Sequence, residues 1–203
     1  MTDQPEHPAD TEHVDLVDEP LTEDPRPDGL RHVPSLVIVN TGNGKGKTTS
    51  ALGVVLRAVA QDWRVAVVQF LKSGEWKVGE ETAARKLGVD WWAIGEGFSW
   101  ESDDLDKDQE TAKLAWAKAK ECITSGEYRL VMLDEITYPL NWGWIPMDDV
   151  VATIRNRPER TSVVCTGRDA PAEIVEIADT VTEMREIKHA YQSGIAAKKG
   201  IDY

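Results

Sequence analysis

From Ser35 onward, short apolar runs alternate with stretches of helical periodicity. Leu36 to Asn40 reads as a buried strand, and Lys47 to about Ala60 as a helix carrying Ala51, Leu52, Val55, Leu56 and Val59 in its apolar pattern. Arg64 to Phe70 reads as a second buried strand, Leu71 to Gly79 as a loop, Glu80 to Leu87 as a short helix and Val89 to Ile94 as a third strand. A long helix is predicted from Asp106 to Thr124, with Leu114, Ala115, Ala119 and Cys122 on one face and a stop at Ser125-Gly126. Leu130 to Leu133 follows as a buried strand, then Met147 to Arg155 (helix), Thr161 to Thr166 (strand), Pro171 to Ala178 (helix) and Val181 to Met184 (strand). This alternation marks βαβ units, hence an α/β domain with a mostly parallel sheet flanked by helices.

The first 34 residues break the pattern. They hold 10 Asp/Glu against 2 Arg and 6 of the 10 prolines, the composition of a disordered acidic tail. The expected organisation is therefore a tail over 1–34 and one domain over 35–203. The net charge of −13 is concentrated in that tail, and the body keeps 26 acids against 21 bases. Such a balance argues against a nucleic-acid partner. No run approaches the roughly 18 apolar residues of a membrane span, and no basic-then-apolar signal opens the chain, so no membrane association is expected. Two distant cysteines, Cys122 and Cys165, read as core residues in a reducing cytoplasm.

Candidate chemistry begins between the first strand and the first helix, at Thr41-Gly42-Asn43-Gly44-Lys45-Gly46-Lys47-Thr48-Thr49. Gly42, Gly44 and Gly46 allow a backbone that turns its N–H groups inward, and the helix that follows aims its positive end at the same space. This is a phosphate-binding loop of the form G-x-x-x-x-G-K-[ST], with Thr41 in place of the first glycine. The bland reading is a glycine-rich turn. Asp134-Glu135 closes a later apolar strand, where a parallel sheet places its ligands. A magnesium ion on the phosphates would be held there by the Thr48 hydroxyl and by a carboxylate of Asp134 or Glu135. Alternatively, Asp134 caps the next helix. Neither motif separates kinases, GTPases, ATPases and transferases.

The chain from Leu36 to Tyr203 resembles the P-loop type of ATP:corrinoid adenosyltransferase. The resemblance rests on the whole glycine loop including Thr41, on Val68-Gln69-Phe70-Leu71-Lys72, Gly97-Phe98-Ser99-Trp100-Glu101 and Leu133-Asp134-Glu135-Ile136-Thr137-Tyr138. It continues through Thr166-Gly167-Arg168, Ala178-Asp179-Thr180-Val181-Thr182-Glu183-Met184, Lys188-His189-Ala190-Tyr191 and the closing Gly200-Ile201-Asp202-Tyr203. It implies a RecA-like P-loop fold and transfer of a 5′-deoxyadenosyl group from ATP to the Co(I) of a corrinoid, with tripolyphosphate as leaving group. ATP would lie reversed in the loop, its triphosphate gripped by Asn43, Lys45, Lys47, Thr48 and Thr49. Arg57 and Glu135 match further nucleotide contacts, and Arg168 either touches ATP or its metal or pairs with Asp169 or Glu173. Phe98 and Trp100 match aromatics that crowd the lower corrin face and, with Lys47 and Thr48, act on the reaction itself. His189 is read as structural. Magnesium, an electron donor such as a flavoprotein and a homodimer come with the resemblance. The competing readings are a RecA-like ATPase that hydrolyses the β,γ bond and a non-catalytic ATP-binding sensor.

Overall fold

A computed structural model of the chain describes residues 22–23, 26, 28–71, 79–95 and 105–202. Most of the tail, the loop around Trp76 and the stretch carrying Phe98 and Trp100 lie outside the described residues. The chain falls into two units, Met1–His32 and Val33–Tyr203, and the second holds the sheet.

Among the described residues, six strands and six helices follow in order: β1 (Val37–Thr41), α1 (Lys47–Val59), β2 (Val65–Gln69), α2 (Gly79–Lys86), β3 (Asp90–Ala93) and α3 (Leu105–Thr124). Then come β4 (Leu130–Asp134), α4 (Thr137–Asn141), α5 (Met147–Arg155), β5 (Ser162–Thr166), α6 (Ala172–Glu176) and β6 (Thr180–Glu183). A 3-10 turn at Ala190–Ser193 completes them. Every strand predicted from the apolar runs is present. Among the described residues, α4 and the 3-10 turn are elements the apolar pattern did not predict.

The sheet order is β3-β2-β4-β5-β1-β6, and every pairing is parallel. Strands β2, β4 and β5 are buried along their whole length, which is why they read as unbroken apolar runs. Their side chains nevertheless alternate between two layers. Val37, Val39, Ala66, Val68, Val131, Leu133, Val163 and Cys165 pack on the side of α3, α5 and α6. Val65, Val67, Leu130, Met132 and Val164 pack on the side of α1 and α2. Small residues line the helix faces, Ala51 and Ala58 on α1 and Ala112, Ala115 and Ala119 on α3, so both helices sit close to the sheet. Each larger side chain buried there contributes about 1.5–3 kcal/mol.

After β1 the chain crosses over the positions of β5 and β4 to reach β2, so the loop after β1 opens above their carboxyl ends. Register brings Gln69 opposite Asp134 and Asn40 opposite Thr166, gathering polar residues at one edge of an otherwise apolar sheet. Among the described residues no helix is long and apolar enough to cross a membrane.

Candidate functional site

The glycine loop is held from behind. Thr41, where the common motif has glycine, is still part of β1, and its Oγ1 accepts the Ala170 N–H at 3.0 Å. Thr41 O accepts the Met184 N–H at 2.8 Å, and the Gly44 N–H donates to Met184 O at 2.7 Å. The segment after β6 therefore lies flat against the loop. A Cβ on Gly42 would come within 2.4 Å of Met184 O, and one on Gly44 within 2.7 Å of the Arg185 carbonyl carbon. Glycine is required at both positions by that close approach. Gly46 is different: it has space around it, but its φ of 109° turns the chain into α1.

Lys47 opens α1 and bends back over the loop, donating from Nζ to Gly42 O and Gly44 O, each at 2.7 Å. Partial burial lowers its pKa, the Arg168 guanidinium lowers it further, and Glu135 and Asp169 oppose the shift. Thr48 donates from Oγ1 to Asp134 Oδ1 at 2.9 Å. Asp134 is fully buried and also accepts Thr166 Oγ1–H at 2.8 Å and Gln69 Nε2–H at 2.8 Å. Gln69 is in turn fixed by Trp91, whose Nε1–H reaches its Oε1 at 3.1 Å. Asp134 is thus the acceptor at the centre of a buried network. It does not cap α4, whose N-cap is Ile136 without a side-chain bond.

Glu135 sits in the left-handed region at φ 65°, with its N–H on Thr166 Oγ1 at 3.0 Å. A non-glycine residue in that conformation costs energy that its surroundings must repay. Here the turn takes the chain from the buried Asp134 to Glu135 at a cavity wall.

That cavity, about 500 Å³, is lined by Lys45, Gly46, Lys47, Thr48 and Thr49 of the loop, by Glu135 and Tyr138, and by Arg168 after β5. Glu80 of α2 and the closing residues Gly200, Ile201 and Asp202 complete it. Lys45 and Asp202 form an ion pair at the rim. Arg168 forms no ion pair or hydrogen bond among the described residues. A polyphosphate would meet Lys45, Lys47 and Arg168 together with the start of a 13-residue helix.

For a magnesium ion the donor chemistry is suitable. The Thr48 oxygen gives its proton to Asp134 and keeps lone pairs toward the cavity that Glu135 also lines. No group of three or more acidic, His or Cys side chains suited to a metal occurs among the described residues. An ion here would complete its shell with phosphate oxygens and water.

Other sequence candidates fall elsewhere. Asn43 is exposed on the loop, and Gly42 and Gly44 form its buried back. Arg57 lies in the last turn of α1, about 15 Å along the helix from Lys47. It lines a separate groove of about 250 Å³ with Leu36, Ile38 and Trp63. His189 accepts the Tyr191 N–H at Nδ1, capping the 3-10 turn. Tyr138, Trp142 and Trp144 form an aromatic group beside the cavity wall, with ring centroids 5.6 and 4.6 Å apart in succession. The sequence by itself points to no role for Gln69, Thr166 or Tyr138. For the first two there was a signal, a polar residue closing a strand that is otherwise apolar.

Residues 34–203 match the family model described as ATP:corrinoid adenosyltransferase BtuR/CobO/CobP. The chain is 40% identical over 168 residues to a corrinoid adenosyltransferase of Escherichia coli K12, covering 83% of this chain and 85% of that one. It is 39% identical over 168 residues to the corrinoid adenosyltransferase CobA of Salmonella typhimurium LT2, with the same coverage of 83% and 85%. A corrinoid adenosyltransferase of Pseudomonas aeruginosa is 42% identical over 170 residues, 83% of either chain.

Proposed function

The chain belongs to the ATP:corrinoid adenosyltransferase family BtuR/CobO/CobP, and from that premise we propose how its own residues carry the reaction. It is an ATP-dependent enzyme that adenosylates a corrinoid in cobalamin biosynthesis or salvage. The reaction needs C5′ of ATP held in line with the corrinoid cobalt and a site that stabilises the departing polyphosphate. The observation that carries the assignment of residues is the cavity in which Lys45, Lys47, Thr48, Glu135 and Arg168 converge at the start of α1.

In this reading the phosphates replace the Gly42 and Gly44 carbonyls as partners of Lys47 Nζ. The loop N–H groups, with Asn43, Lys45 and Thr49, hold the rest of the chain. Arg168, with no ion pair among the described residues, is available to the anion as well. Asp134 is a positioning residue, because its oxygens already accept Thr48, Thr166 and Gln69. A bound magnesium ion would neutralise charge on the leaving group, with Thr48 Oγ1 and Glu135 as its protein oxygens. Attack by Co(I) forms the cobalt–carbon bond, and the electron pair of the C5′–O bond leaves with tripolyphosphate. Phe98 and Trp100 are proposed to crowd the lower corrin face, and Arg57 remains a proposed nucleotide contact.

Cys122 and Cys165 are buried free thiols whose pKa values burial raises to about 11 and about 12. Neither suits electron delivery, so the Co(I) state is proposed to come from an external donor such as a flavoprotein. Two free thiols also accord with a cytoplasmic setting. A homodimer is supported by β6, an edge strand with all four residues exposed, followed by the exposed Ile187 and Ile195.

The test is the visible spectrum of chemically reduced cobalamin with ATP, magnesium and protein, kept anaerobic and in dim light. Conversion to a light-sensitive alkylcobalamin is expected, slowed about a hundredfold in Thr48→Ala. Unaltered conversion in Thr48→Ala would contradict the assignment of the site.

A further inference from the structure

We propose that a second cavity, which shares Lys45 and Asp202 with the first, is an anion subsite that takes the free end of tripolyphosphate as it leaves. The inference rests on the adenosyl-transfer reading above. The cavity, about 350 Å³, is bounded by Lys45, the run from Arg185 to Ala190, and Asp202.

Its position is set by backbone. Met184 is hydrogen-bonded on both sides, to Thr41 O and from Gly44 N, and the Arg185 carbonyl lies where a Gly44 side chain would be. Arg185 is therefore carried against the phosphate loop by the same contacts that shape the loop.

Its charges are uneven. Glu186 accepts Gln192 Nε2–H at 2.7 Å, and Asp202 serves Lys45 and the Lys198 N–H at 2.8 Å. Arg185 and Lys188 form no ion pair or hydrogen bond among the described residues. His189 uses Nδ1 as an acceptor, which leaves Nε2 to carry the ring proton of the neutral imidazole as a donor. The Gln192 amide is neutral and leaves Glu186 its charge, so Arg185 and Lys188 give the lining one net positive charge once Lys45 is set against Asp202, with the imidazole as a donor beside them.

Lys45 borders both cavities. In ATP one end of the phosphate chain is tied to ribose. Once the C5′–O bond breaks, its electron pair stays on that oxygen, and the product has two terminal phosphates and more negative charge. Tripolyphosphate can then extend past Lys45 where the ester could not. Asp202 is the resident competitor, an anion on Lys45 that an incoming phosphate displaces.

The experiment is calorimetric titration of sodium tripolyphosphate, and separately of ATP, into the full chain with magnesium and no corrinoid. Arg185→Ala/Lys188→Ala is expected to weaken tripolyphosphate about five- to tenfold and ATP less than twofold. Asp202→Asn is expected to tighten tripolyphosphate about two- to threefold by removing the competing charge. Unchanged tripolyphosphate affinity in both variants, with binding lost in Lys47→Ala, would confine the anion to the loop and overturn the subsite. Equal weakening of ATP and tripolyphosphate would also overturn it, as a general effect of charge. If the variants behave as expected while the wild-type chain makes no alkylcobalamin, the subsite stands and the adenosyl-transfer reading fails.

Discussion

Lys47 shows how the cavity sets the behaviour of a single group. Its ammonium is partly buried and faces Arg168, so its pKa lies below the ordinary 10.5 despite Glu135 and Asp169. The charge that should hold phosphate is consequently lost as pH rises through that lowered value, before an ordinary lysine would titrate. The alkaline limb of kcat/KM for ATP, which reports the free enzyme, is expected below pH 10.5. Arg168→Met removes a lowering influence and should move that limb to higher pH while weakening ATP; a limb that stays in place would separate it from Lys47. At this scale the meeting of Thr48 with Asp134 was legible from the order of the motifs, although Asp134, read as a magnesium ligand or a helix cap, is the acceptor of a buried network. The other partners of Asp134 were not legible, because Gln69 and Thr166 are 65 and 32 residues away and meet it only through strand register.

At the scale of elements, the loop and the segment after β6 form one unit. Gly42 and Gly44 read in the sequence as sources of backbone freedom for phosphate, yet each is also required by the chain packed behind it. Gly44→Ala should therefore push Met184 and Arg185 away, at a cost of about 1–3 kcal/mol for the added contact. Amide exchange at Met184, protected by its bond to Thr41 O, is expected to rise, and ATP binding to weaken with it. Unchanged protection at Met184 would show that the segment does not depend on the glycine. The strands were legible because both faces of a parallel sheet are covered and the apolar runs are continuous. Helix α4 was not, since five residues with Pro139 inside give no period to read, and its course follows from the turn at Glu135.

Across the whole molecule, the alternation of strands and helices places Thr41, Gln69, Asp134 and Thr166 at one edge of a six-stranded parallel sheet, with the phosphate loop above them. The closing residues Gly200 to Asp202 return to that same cavity. Phe98 and Trp100, on which the corrin side of the proposal depends, lie outside the described residues, and their part in the reaction is proposed from the resemblance of the 97–101 stretch alone. A phosphate loop with Lys47, Thr48 and Asp134 would serve hydrolysis of the β,γ bond as well as adenosyl transfer, so the decisive quantity is which bond of ATP breaks. Phosphorus NMR of the products, after turnover with ATP, magnesium and chemically reduced cobalamin under anaerobic conditions, reads it directly. Intact tripolyphosphate in step with alkylcobalamin is the predicted result. Orthophosphate and ADP, with the corrinoid unaltered, would contradict the account and make the chain an ATPase.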